Sequence, residues 1–561
     1  MRSLLYFCVL LLINIKFTIG QNDSNKTYFP PLDIPLVLSA NFGELRPNHF
    51  HMGLDFKTNG KEGLKLYSID DGYVSRIKVS AFGYGKVIYI NHQNGITSVY
   101  AHCSQFLGAI DSIVKSTQDI NQNFEVEIFP PTNEIKIKKG ENFALSGNTG
   151  SSTAPHLHFE LRNTKTETAL NPLKFGFDII DTKPPEIKNI KLYGLTKEGY
   201  RINGKSKILH VSKGKFGYFI DGNFTTIPSD FYYQDGGLGL AFETNDHYNL
   251  STNPLGIYKS LLIVNLDTIF GHKIDSVSFE TTKYINSHSD YEEFTLNKRK
   301  FQKSFRTQEN PLTFYLNDSL GLIKINPKDT LLIHYIAEDS KKNKSEIKFK
   351  LTRLEGLNLK DNTLLNASDY LYPNKSFDYK SELISVNIPE GCIYEPIPKK
   401  LNIKNGFSIA TSATPIQKTV KISLPLNSPI YPIEKYYIAS NSNYLSTKFL
   451  NGWLNAEAKT LGQYSIKIDT IAPVIIPLNF LKTDTLMKKV LLQWKIKDEK
   501  SNLSDYDLFI DSSWVLLQYE SKGSYAFYIR PKSLLGKHHL KIIAKDNCKN
   551  EAIWEDEITF E

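Results

Sequence analysis

The residues best equipped for chemistry stand in two short runs, His51-Met52-Gly53-Leu54-Asp55 and, far along the chain, His156-Leu157-His158-Phe159-Glu160. Together they offer a His, an Asp and a second His, the donor types and spacing of a three-ligand zinc site. Three protein ligands leave the fourth position open to water or substrate, which distinguishes a catalytic zinc from a structural one. Two further histidines, His102 and His156, remain for acid–base work. Residues two apart in a strand share a face, so His156, His158 and Glu160 project together while Leu157 and Phe159 turn toward a core. His51 and Asp55, four apart, share a face in a strand or in one turn of helix. Gly53 among Phe50, Leu54 and Phe56 favours a strand or an extended loop. An HxxxD or an HxH alone is weak; their clustering carries the argument, because six of the thirteen histidines (His49, His51, His92, His102, His156 and His158) fall in this one stretch. His49 reads as groove rim or surface, and His92, in Asn91-His92-Gln93-Asn94-Gly95, as a surface histidine at a hairpin turn.

The order of landmarks from about residue 36 to 175 resembles the catalytic domain of the M23 zinc metallopeptidases, the LytM and lysostaphin type. The residues carrying the resemblance are Phe42-Gly43-Glu44-Leu45-Arg46, the His51–Asp55 run, Asp71-Gly72-Tyr73-Val74, Gly83-Tyr84-Gly85, Tyr100-Ala101-His102, Ser146-Gly147-Asn148-Thr149-Gly150, and His156–Glu160 with Leu161-Arg162. The resemblance implies an antiparallel β-sheet with an open groove and hydrolysis of peptide bonds in bacterial peptidoglycan. It implies His51, Asp55 and His158 as Zn2+ ligands, and His102 and His156 as the two catalytic histidines. None of these positions is substituted. Cys103 stands where relatives carry Leu, and it faces away from the site if His102 faces toward it. Glu160 shares the strand face of His156 and His158 and is either a partner that orients them or a solvated strand residue.

The start of the chain reads as an export leader over residues 1–20: Arg2, an apolar run from Leu4 to Ile13, and the small-residue end Thr18-Ile19-Gly20. The apolar run is short for a membrane span, and Cys8 lies inside it rather than after it, which argues against a lipid anchor. No later stretch is apolar enough for a transmembrane helix. Export to the periplasm, cell envelope or exterior fits a peptidoglycan substrate. Cys103, Cys392 and Cys548 are too scattered for a disulfide framework. The net charge of +8 is dispersed, and no basic run interleaved with aromatics points to nucleic acid.

A chain of 561 residues implies several domains. The fold class expected is mainly β: a peptidase domain over residues 30–180, then β-sandwich modules over 181–356, 357–468 and 469–561. A long connection between His102 and His156 contains an amphipathic helix around Ile110, Ile113 and Val114 and a strand-rich stretch from Phe124 to Ile137. The segments Asp181–Ile187, Asp246–Ser251 and Ala337–Asn343 recur in order as Asp469–Ile475, Asp498–Ser504 and Ala544–Asn550, the mark of a duplicated module. The first copy is longer, with insertions around residues 200–236 and 267–310. The AxDxxxN turn resembles that of immunoglobulin-like modules on bacterial surface proteins, which implies spacers or wall-binding units. No DxDxDG loop is present, so the Asp and Asn residues of these segments read as turn formers rather than calcium ligands. Two functions compete: an active zinc endopeptidase, and a non-catalytic LytM-like scaffold that binds the wall or activates another hydrolase. The complete ligand set favours the enzyme.

Overall fold

A computed structural model describes residues 27–220, 224–227, 231, 236–355, 369–402, 407–480 and 490–561. The expected export leader, part of the insertion around 200–236 and the start of the 357–468 segment lie outside them. The described chain is mainly β, as its patterning predicts, and among the described residues no helix is long and apolar enough to cross a membrane.

The N-terminal region is organised by strands β1 (Leu38–Ala40), β2 (Leu54–Lys57), β3 (Gly72–Val79), β4 (Val87–His92), β5 (Ile96–Ala101), β6 (Val126–Ile128) and β7 (His156–Asn163), which lie side by side in the order β1-β2-β7-β5-β4-β3-β6. All of these pairings are antiparallel. Strand β7, last in sequence, is thus inserted between β2 and β5. Its alternation explains why: Leu157, Phe159 and Leu161 are fully buried in the core. Phe159 meets Tyr100, Phe56 and Phe177 at ring-centroid distances of 5.3, 6.1 and 5.5 Å. The polar residues of the opposite face are thereby fixed in place. Helix α1 (Gly108–Asn121) occupies the long connection and buries Ile110 and Val114, matching the amphipathic pattern. A smaller three-stranded sheet (Lys65–Tyr67, Asn142–Leu145, Gln105–Phe106) carries the loop Ser146–Gly150 to the site.

Three further cores follow. One spans Ile187 to Leu351, one Leu371 to Tyr464 between two five-stranded sheets, and one Phe480 to Phe560 between two four-stranded sheets. The N-terminal core does not close on itself: Tyr248, Leu255, Ile274, Val277, Ile285, Leu312 and Phe314 of the next segment complete it. At this seam Asn41 clamps Gly256, donating from Nδ2 to its carbonyl (2.7 Å) and accepting its N–H at Oδ1 (2.8 Å). The C-terminal module also rests on the N-terminal region. Ser521 Oγ donates to the Ala81 carbonyl at 2.6 Å, and Lys522 donates to the carbonyls of Asn148 and Ser152.

His92 departs from its expected surface position. It is 5 % exposed, with its ring between the Asp71 carbonyl (3.0 Å) and Ser98 Oγ (2.7 Å). The hairpin turn at Asn94-Gly95 is as the sequence suggests, but the His precedes it as the last residue of β4. Two hydrogen bonds compensate its burial.

Because β7 is held by its apolar face, Phe159→Ala should cost about 3–5 kcal/mol and lower the midpoint of urea unfolding followed by near-UV circular dichroism. An unchanged midpoint would show that the strand is secured in another way.

Candidate functional site

Strand register brings the site together. His158 of β7 pairs across from Asp55 of β2 on one side and from Ala101 of β5 on the other. Directly opposed residues in an antiparallel pair keep their side chains within reach, so Asp55 Oδ1 lies 2.8 Å from His158 Nδ1. His51 enters from the segment before β2, with Nε2 3.0 Å from both Asp55 Oδ1 and His158 Nδ1. One donor atom from each of the three lies within 4.8 Å of the others, and all three residues are buried. Gly53 permits this approach, since a Cβ there would sit 2.3 Å from the Phe159 carbonyl oxygen.

Each donor is oriented from behind. His51 Nδ1 donates to the Asn41 carbonyl at 2.8 Å, so the residue that clamps Gly256 also fixes His51 with Nε2 toward the centre. Arg46 donates to Asp55 Oδ2 at 2.6 Å, leaving Oδ1 for the site. His158 Nε2 meets Glu160 Oε1 at 2.8 Å. Glu160 is fully buried and bonded in turn to Arg162 Nε (2.7 Å) and to the Tyr84 hydroxyl. The Tyr84 ring stacks on His158 at 5.1 Å. Of the two roles open to Glu160 in sequence, the geometry is that of an orienting partner, and of His158 rather than His156.

The electrostatics are those of a site built for a cation. Burial would raise Asp55, yet the His51 charge and the hydrogen bonds from His156 and His158 hold it well below the usual carboxylate range. Burial would lower His158, but its hydrogen bonds to Asp55 and Glu160 raise it to about 9. Arg162 and His158 likewise overcome burial at Glu160 and hold it at about 2. His51 is lowered, chiefly by burial. Three donor atoms thus converge on one point, a carboxylate held in its charged form between two imidazoles. Two imidazoles and one carboxylate suit a borderline metal.

His102 and His156 stand beside this centre, their rings 4.8 Å apart. His102 follows β5 with φ of +62°, a left-handed turn that swings it out of the strand. Cys103 is fully buried and faces the core as expected, its thiol pushed up to about 12 by burial. His102 Nδ1 donates to the Thr149 carbonyl (2.8 Å) and His156 Nδ1 to that of Ala154 (2.9 Å). In both rings this fixes the tautomer and leaves Nε2 as the working nitrogen. Burial, then the charges of His158 and His156, lower His102 to about 3. The connection holding these carbonyls packs closely on the turn at Gly83–Gly85: a Cβ on Gly150 would lie 2.3 Å from the Gly85 nitrogen. His49 is exposed, with its ring bonded to its own turn at the Pro47 carbonyl.

The supporting residues Tyr84, Arg46, Asn41 and Arg162 carry no metal-ligand signature in sequence. Arg46, Tyr84 and Arg162 stood in the landmark runs of the resemblance without a role, and Arg162 is also the next residue on the His156-His158-Glu160 face. Glu160→Gln should weaken metal affinity about 10–100-fold in competition with a chromophoric chelator, whereas unchanged affinity would remove Glu160 from the support of His158.

Residues 49–126 match the model of peptidase family M23, and residues 368–469 that of a Zu5-like domain. An uncharacterized metalloprotease of Haemophilus influenzae is 34 % identical over 131 residues, covering 23 % of this chain and 21 % of the relative. The peptidoglycan DD-endopeptidase ShyA of Vibrio cholerae is 30 % identical over 137 residues, covering 23 % and 26 %. The chain thus spans about a fifth to a quarter of the length of these curated relatives. Among solved structures, the catalytic domain of the prophage-encoded M23 protein EnpA of Enterococcus faecalis is 23 % identical, covering 26 % of this chain and 96 % of that one with a TM-score of 0.20. Over residues 49–126 this chain is thus similar to peptidase family M23.

Proposed function

We propose that the protein is an exported zinc-dependent endopeptidase that hydrolyses peptide cross-links or stem peptides of bacterial peptidoglycan. The observation that carries this reading is the convergence of His51 Nε2, Asp55 Oδ1 and His158 Nδ1 beside a second pair of histidines. The family match over residues 49–126 and the peptidoglycan DD-endopeptidase named among the relatives support the reaction class and substrate.

In this reading His51, Asp55 and His158 hold the zinc. When bound there, zinc lowers the pKa of a coordinated water toward neutrality and polarises the scissile carbonyl. The remaining work belongs to His102 and His156. Both present Nε2, with Nδ1 tied to a backbone carbonyl. One accepts the proton of the attacking water and passes it to the leaving amine; the other, protonated, donates to the oxyanion of the tetrahedral intermediate. Ser152 Oγ, 3.1 Å from His156 Nδ1, steadies the more exposed of the two rings. The β modules act as spacers or wall-binding units, and the second, over residues 357–468, carries the Zu5-like match.

The test is digestion of purified peptidoglycan followed by mass analysis of the muropeptides, which also names the bond. Wild-type protein should release cleaved stem peptides. His156→Ala should keep its zinc and lose about 10²–10⁴-fold in rate, while His158→Ala should lose both. Full activity in metal-free His158→Ala protein would overturn the mechanism.

A further inference from the structure

The duplicated module brings together aspartates that are far apart in sequence. In the first copy, Asp181 lies in the segment leading into strand β8 (Glu186–Leu195), Asp246 follows β9 (Gly237–Asn245), and Asp339 follows β10 (Thr330–Glu338). Antiparallel pairing of β8 with β9, Glu186 opposite Asn245, puts the first two at one end of the module. One carboxylate oxygen from each of the three lies within 4.8 Å of the others. The second copy repeats the arrangement with Asp469, Asp498 and Asp546. This corrects the reading of these residues as turn formers alone: they do make turns, as where Asp339 Oδ1 accepts from the N–H groups of Lys341 and Asn343, but they also converge.

The copies differ in one decisive respect. Asp498 Oδ2 accepts three backbone N–H groups, those of Lys500, Ser501 and Asn502, at 3.0, 2.8 and 2.8 Å. Its counterpart Asp246 is 0 % exposed, and among the described residues neither of its carboxylate oxygens has a hydrogen-bond partner of good geometry, although the nearby His247 N–H tempers its charge. Asp181 Oδ2 is also buried and unpartnered. No Lys or Arg among the described residues forms an ion pair with Asp181, Asp246 or Asp339. A buried, unpaired carboxylate is costly, and three together repel. Burial, then the neighbouring carboxylates, push Asp246 up to about 8.

We propose that Asp181, Asp246 and Asp339 bind one calcium ion, and that the second cluster, whose central carboxylate is already satisfied, does not. All-oxygen donors select a hard cation, and oxygens around calcium at 2.3–2.6 Å stand at most about 5 Å apart. The ion has a structural task. Asp181 belongs to the segment leaving the N-terminal core, and the stretch after Asp246 sends Tyr248 and Leu255 into that core and Gly256 to Asn41. Calcium fastens this junction, whose Gly256 is held by Asn41, the residue whose carbonyl orients His51.

The full chain in calcium-depleted buffer should take up one ⁴⁵Ca ion in equilibrium dialysis and melt at a higher temperature as calcium is added. Asp246→Asn should abolish both effects, and Asp181→Asn, at a less enclosed position, should weaken binding at least tenfold while remaining folded. Asp498→Asn should change neither, and His51→Ala should bind calcium as wild type does, which separates this site from the peptidase centre. Absence of bound calcium, retention of the ion by Asp246→Asn, or an Asp246→Asn protein that melts higher regardless of calcium would overturn the proposal. The last result would mean that the carboxylate is only an uncompensated charge.

Discussion

Everything at the candidate site depends on the register of one strand. His156–Asn163 sits between two partners, and the opposition of His158 to both Asp55 and Ala101 puts one donor beside another and carries His102 into range. A slip of one residue would send His156, His158, Glu160 and Arg162 into the core and Leu157, Phe159 and Leu161 into the groove. The apolar residues of β7 therefore specify the site as firmly as the histidines do. The cost of a wrong register is loss of the entire buried face, not of one contact.

Behind the donors lies a buried polar chain that runs from His158 through Glu160 to Arg162 and Tyr84. Buried charges persist when each is paired and hydrogen-bonded. Here every member meets at least one other, so the chain holds its geometry without solvent. His51 is supported differently, through the Asn41 carbonyl, and Asn41 is itself held by Gly256 of the following module. The following β module is thus coupled physically to the candidate site: His51 is positioned by a residue whose side chain is held across the seam between two cores.

The local spacing of the two histidine runs was legible, whereas the roles of His51, Asp55, His102, His156 and His158 came with the family resemblance. An HxH on a strand and an HxxxD through an extended segment announce shared faces by spacing alone, and α1 shows its period over Ile110, Ile113 and Val114. What was hidden arises from long-range convergence. Tyr84 reaches Glu160 across the sheet, and Asn41 contacts a glycine of another module. Asp181, Asp246 and Asp339 have no short-range spacing resembling a calcium loop. Their meeting follows from strand ends packed at one end of a module, which the repeat hinted at by conserving the order of its landmarks. His92 was misplaced for a related reason: a turn signal locates a hairpin, but it does not say which flanking side chain lies under the sheet.

The central claim is that two imidazoles and one carboxylate hold a zinc ion with an open position. Zinc K-edge X-ray absorption of the metal-loaded chain tests it most directly. The account predicts four nitrogen or oxygen neighbours at about 2.0–2.1 Å, with multiple scattering from two imidazole rings and one neighbour exchangeable with solvent. Sulfur at about 2.3 Å, or scattering from no imidazole, would contradict it.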